Sequence, residues 1–226
     1  MLTNKDVEVA REIAKHLDLP AEFGGHEDMD TSEYEYDFQD FIEGDFYVSC
    51  GVSKLVIVIE DLPFVIKIPF NGRWEMDWEN EDKWYFNPFY SACDECCDDY
   101  CLDELEKTLS IQETKFAHFV PDMVDIGIFC GHAVYIQEKV KPLCDCSRLK
   151  TSERSLQQAK LQTTTTLFRT DWIARVYDLY GQDTLDEFVE FLKTWEPEVL
   201  SDMHTGNYGI TLDGAPVLFD LAGFRD

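Results

Sequence analysis

Residues 200–224 read "LSDMHTGNYGITLDGAPVLFDLAGF". Asp202, His204, Asn207 and Asp220 stand around two short apolar runs, "YGIT" and "PVLF", with glycines at 206, 209, 214 and 223. The runs and the "DG" between them read as a small hairpin. The first Asp and the Asn precede that hairpin, and the second Asp ends it. Asp and Asn oxygens are hard ligands of the kind Mg²⁺ takes, together with phosphate oxygens.

A second polar residue in an apolar setting lies upstream. Lys67 occupies the middle of "PFVIKIPF" (63–70), which follows "SKLVIVIE" (53–60) across "DL" and forms a hairpin with it. A lysine there must snorkel to water or find an anion, because an unpaired buried ammonium is costly. The segment "CLDELEK", read as a helix, offers Glu104 and Glu106.

The rest of the chain falls into textures. "TNKDVEVAREIAKHLDLP" (3–20) has apolar residues at helical spacing, Thr3 or Asn4 as cap and Pro20 after its end. Residues 24–46 are acidic with interleaved Tyr and Phe, and read as a surface loop with a short helix or strand. Residues 71–100 are aromatic, acidic and Cys-rich without a clean period, and read as an insertion. "MVDIGIFCGHAVYIQEKV" (123–140) reads as a second hairpin turning at Cys130-Gly131. After Pro142 helices take over: "SERSLQQAKLQ", "TDWIARVYDLY" and "TLDEFVEFLKTWEP". In the last of these Thr184 and Glu187 read as a capping box, Leu185, Phe188, Val189, Leu192 and Trp195 as the apolar face, and Pro197 as the stop.

In this order the pieces resemble the protein-kinase-like superfamily in its aminoglycoside-phosphotransferase-like style. "DMHTGN" is similar to the catalytic loop D-x-H-x-x-N, "VLFDLAG" to the metal-binding strand end, and "FVIKIP" to the strand carrying a phosphate-holding lysine. The whole run looks closest to small, uncharacterised kinase-like proteins of phages and bacteria. The resemblance implies an α+β, bilobal protein-kinase-like fold, with an antiparallel β-sheet N-lobe and a minimal helical C-lobe. The divisions would be an N-terminal helix and acidic segment over 1–45, an N-lobe over 46–141 with the insertion at 71–100, and a C-lobe over 142–226.

It also implies roles. Asp202 would be the catalytic base or orient the acceptor hydroxyl, and Asn207 and Asp220 would coordinate Mg²⁺. Lys67 would contact the phosphates of ATP, held by Glu104, with Glu106 in reserve. Gly51, Ser53 and Lys54 would cover the phosphates, the link from Glu138 to Val140 would offer backbone groups to adenine, and His204 would order its loop. The implied activity is an ATP- and Mg²⁺-dependent kinase transferring the γ-phosphate to a protein or small-molecule hydroxyl. The alternative is a pseudokinase-type acidic interaction protein, phage-encoded, binding a basic host partner. The metal strand departs from D-x-G, reading Asp220-Leu221-Ala222-Gly223.

Composition bounds these readings. Nineteen Lys and Arg against 46 Asp and Glu leave a net charge of −27, which disfavours nucleic acid as a partner. The charge suits either solubility or a basic protein partner. No stretch reads as a membrane span or as a secretion signal, so the expected compartment is cytoplasm, the host's if the gene is viral. Eight cysteines then suggest free thiols or metal. "CDECCDDYC" (Cys93, Cys96, Cys97, Cys101) with "CDC" (Cys144, Cys146) suits a structural Zn²⁺ or a solvated acidic loop.

Overall fold

The computed structural model describes residues 1–17, 46–50, 54–69, 73–77, 80–87, 100–129, 132–161, 168–194 and 204–221. The acidic segment, the Cys130-Gly131 turn, and Pro20, Trp195 and Pro197 lie outside these residues, so the expectations placed on them do too. The fold is α+β, with antiparallel sheets and, among the described residues, four α-helices. Contacts divide the chain into two units: Met1–Leu105 with Met123–Glu138, and Glu106–Asp122 with Lys139–Asp226.

In the first unit, β1 (Phe46–Cys50), β2 (Lys54–Ile59), β3 (Phe64–Pro69), β6 (Met123–Phe129) and β7 (His132–Glu138) form one antiparallel sheet, ordered β1-β2-β3-β7-β6. Side chains alternate across a strand, and the register uses this. Leu55 faces Ile68, Ile57 faces Ile66, and Ile66 faces Ile136. These residues share one buried cluster with Ile59, Phe64 and Val134. Helix α1 (Asn4–Ala14) completes it through Ala10, Ile13 and Ala14, and Leu17 joins from just beyond the helix. Thr3 caps α1, its hydroxyl accepting from the Asp6 N–H while Asp6 accepts from the Thr3 N–H at 2.8 Å. The opposite set of strand positions includes Lys67, which pairs in register with Tyr135.

Within the range read as an insertion, residues 73–77 and 80–87 form strands. β4 (Arg73–Asp77) and β5 (Asn80–Asn87) pair antiparallel, with a bulge between Met76 and Asp77. Trp, Tyr and Phe favour strands enough to form a hairpin within a charged stretch. Helix α2 (Tyr100–Gln112) is divided, its residues to Leu105 belonging to the first unit and the rest to the second.

The second unit is built on aromatic packing. Phe119, Phe168, Trp172, Phe188, Phe191 and Tyr208 are buried together, with ring centroids 5.1–5.6 Å apart in most adjoining pairs. Rings of this size each contribute roughly 1.5–3 kcal/mol by leaving water. Helices α3 (Glu153–Lys160) and α4 (Thr170–Thr194) pack on each other. Ser152 caps α3 by accepting from the Ser155 N–H at 3.1 Å, and Asp178 of α4 accepts from the Ser152 N–H and from both hydroxyls.

α4 is two helices run together. Gly181 interrupts it at φ 85°, ψ −171°, a conformation that glycine adopts without a Cβ penalty. The second helix therefore starts after Gly181, and Thr184 lies inside its first turn rather than capping it. The anticipated capping box at Thr184 and Glu187 is thus displaced, because the glycine kink sets the boundary three residues earlier.

The closing hairpin forms, with β9 (Tyr208–Thr211) antiparallel to β10 (Pro216–Leu218). It gains a third strand, β8 (Val140–Pro142), on the outer side of β9. β8 approaches so closely that a Cβ on Gly209 would stand 2.1 Å from the Lys141 carbonyl oxygen. Among the described residues no helix is long and apolar enough to cross a membrane.

Candidate functional site

The register that buries Ile66 and Ile68 on one side of β3 carries Lys67 to the other. There its side chain is 5% exposed and that of Glu104 is fully buried. The ammonium Nζ donates to Glu104 Oε1 at 2.7 Å and to Gln137 Oε1 at 2.6 Å. The Tyr135 hydroxyl donates to Glu104 Oε2 at 2.8 Å. Tyr135 sits opposite Lys67 across the β3–β7 ladder, and Gln137 lies two residues along on the same side. Of the two glutamates that "CLDELEK" offers, Glu104 takes the lysine, while Glu106 is exposed on the helix.

Tyr135 and Gln137 were not among the residues singled out from the sequence. The available signal was the polar Gln137 within the otherwise apolar "AVYIQ", in phase with Tyr135 and out of phase with Ile136. Together the four side chains make a buried, charge-balanced cluster in which each carboxylate oxygen has a donor. Such pairs are costly to desolvate and costlier still to break, because one uncompensated charge remains.

In the second unit the loop before β9 is held by its own backbone. The Asn207 N–H donates to the His204 carbonyl at 2.9 Å, and the Gly206 N–H donates to His204 Nδ1 at 3.0 Å. The Thr205 carbonyl accepts from the Cys144 N–H at 2.9 Å. The Phe219 N–H donates to the Asn207 carbonyl at 2.9 Å, which ties the residue before Asp220 to Asn207 across the open end of the hairpin. Asn207 is buried and Asp220 half-buried. Among the described residues Asp220 alone, glycines aside, has positive φ, at 58°. An outlier of this kind marks a position where a side chain is held against backbone preference.

Neither a protein-family model nor a curated protein matches this sequence.

Asp202, Gly51 and Ser53 lie outside the described residues, and Lys54 opens β2 with only its backbone described. Glu138 ends β7, and its carboxylate accepts from the Met1 ammonium at 2.8 Å. Val140 opens β8 opposite Thr211. Cys93, Cys96 and Cys97 are also outside the described residues, and of Cys101 only the backbone is described. Cys144 and Cys146 are free thiols. Burial pushes the Cys146 thiol up, and its Sγ lies 3.3 Å from the Pro142 carbonyl oxygen. Among the described residues no group of three or more His, Cys, Asp and Glu side chains could hold a metal ion.

Proposed function

We propose that this chain is a kinase-like phosphotransferase that moves the γ-phosphate of ATP to a hydroxyl acceptor. The observation that carries the reading is the buried Lys67–Glu104 pair, with Gln137 and Tyr135 fixing its two ends. A lysine immobilised on a central strand by a helix carboxylate suits the holding of phosphate oxygens, as the resemblance requires. The five-stranded antiparallel sheet and the helical second unit are compatible with a bilobal kinase-like design.

The donor chemistry of the closing hairpin fits a magnesium ion. Asn207 and Asp220 bring an amide and a carboxylate, both oxygen donors, from backbone positions joined through the Asn207–Phe219 hydrogen bond. These two residues would hold the ion, which when bound neutralises phosphate charge. Lys67 would keep the phosphates in place, and Glu104 keeps Lys67 oriented. Asp202, on the strength of the sequence, accepts the proton of the acceptor hydroxyl. As that oxygen bonds to the γ-phosphorus, the bond to the bridging oxygen breaks and ADP leaves.

The test is thermal unfolding with ATP and Mg²⁺. The reading requires a rise in melting temperature that Asp220→Ala abolishes, followed by transfer of labelled phosphate that Asp202→Ala abolishes. No rise at millimolar nucleotide overturns the nucleotide-binding claim. A rise without transfer to any offered protein or small-molecule hydroxyl overturns the transferase claim.

A further inference from the structure

Within the second unit a cavity of about 430 Å³ is lined by Arg148, Leu156, Lys160, Arg169, Thr170 and Asp171. Its size falls in the range of small-molecule pockets. Its charge is opposite to that of the chain, which carries −27 overall. Three of the six lining residues are cations and one is an anion.

The cations divide into two kinds. Arg169 is spent on the fold: Nε and Nη2 hold the two oxygens of Asp171 at 3.1 and 2.7 Å, and Nη1 donates to the Leu143 and Cys146 carbonyls at 3.0 and 3.1 Å. Asp171 is likewise occupied, accepting also from the Leu149 N–H at 2.7 Å. Burial pushes the Asp171 carboxyl up, but these bonds outweigh it and hold it below the ordinary carboxylate range. Arg169 and Asp171 therefore make a rigid, charge-balanced floor. Arg148 and Lys160 are exposed at the wall, and among the described residues neither has an ion-pair partner. Leu156 supplies an apolar side and Thr170 a hydroxyl.

We propose that this cavity binds a small phosphate monoester, its phosphate between Arg148 and Lys160 and its organic part against Leu156. The charge count selects the class. A monoester carries close to two negative charges at neutral pH, matching the two uncommitted cations, and the planar guanidinium of Arg148 suits paired phosphate oxygens. A carboxylate would satisfy only one of them. The inference stands apart from nucleotide binding, since it uses none of the residues assigned to it.

The probe is phenyl phosphate, titrated into the full chain by calorimetry, with benzoate as the carboxylate comparator. Saturable binding that weakens with added salt, and benzoate binding about tenfold weaker or more, supports the proposal. Arg148→Gln and Lys160→Gln should each weaken phenyl phosphate about tenfold, and Lys150→Gln, a neighbour outside the cavity lining, should not. No saturable binding, equal affinity for benzoate, or indifference to both cavity substitutions overturns it. An equal loss with Lys150→Gln would mean diffuse charge attraction and overturns it too.

Discussion

The Tyr135 hydroxyl donates to Glu104 Oε2 at 2.8 Å, so the carboxylate that pairs with Lys67 has both oxygens engaged inside the protein. The strand opposite β3 thus supplies the bond that keeps the helix carboxylate turned towards the lysine. Tyr135→Phe leaves the ring volume and removes only that donor. It should destabilise the fold by about 1–3 kcal/mol, the cost of leaving a buried charged acceptor short of a partner. Urea unfolding measures this, and an unchanged midpoint would show the hydroxyl to be dispensable.

Breaking the pair from the lysine side should cost more. Lys67→Met strands a buried carboxylate, for an expected loss of about 3–5 kcal/mol. Adding Glu104→Leu should recover part of that stability, because the stranded charge is gone while the Tyr135 hydroxyl and Gln137 Oε1 each lose a partner. A double variant as unstable as Lys67→Met alone would refute this account of the cluster. On the function proposed above, the same double variant should gain no melting temperature from ATP with Mg²⁺.

Gly209 is needed for what surrounds it. A Cβ there would meet the Lys141 carbonyl oxygen at 2.1 Å, and the Gly209 carbonyl itself accepts from Trp172 Nε1 at 2.8 Å. Gly209→Ala must push β8 off β9, and a loss of about 2 kcal/mol or more is expected. Amide exchange should show Lys141 and Ile210 losing protection in the variant. Retained protection at both would contradict the packing described.

His118 should impose a pH dependence. Its ring lies against Phe119 and Tyr180, at centroid distances of 4.0 and 5.5 Å, and Nε2 has no hydrogen-bond partner among the described residues. Burial lowers its pKa below the ordinary histidine value, only partly opposed by the charge of Glu187. The unfolded chain then takes the proton first as pH falls. The stability that the neutral ring contributes is complete above about pH 6.5 and drains away below it. His118→Phe keeps an aromatic ring and removes the titration, so its melting temperature should fall less than the parent's between about pH 7 and pH 5. Parallel curves would exclude His118 as the source.

Much of this was legible from residue patterns, and the failures have physical causes. The runs "LVIVI" and "FVIKI" announce buried strands, and a lysine amid them demands a partner. The identity of that partner was open, since Glu104 and Glu106 differ only in which way the helix turns, and tertiary packing decides that. Tyr135 and Gln137 escaped notice because their role depends on which strand pairs with β3, a long-range choice. The hairpin at 73–87 was obscured by charge. The pattern Thr184-x-x-Glu187 suits a helix's first turn as well as its cap, and only the backbone at Gly181 distinguishes them. Val140–Pro142 is three residues long, too short to show a period before β9 lends it one.

The left-handed backbone at Asp220 has a consequence for how the protein would evolve. An aspartate there costs roughly 1 kcal/mol relative to glycine. A lineage bred for heat tolerance alone should acquire Asp220→Gly and be the hardier for it. A lineage that must also keep the metal-holding role proposed for Asp220 would hold the acid and remain less robust, making this position a gauge of what selection has asked of the chain.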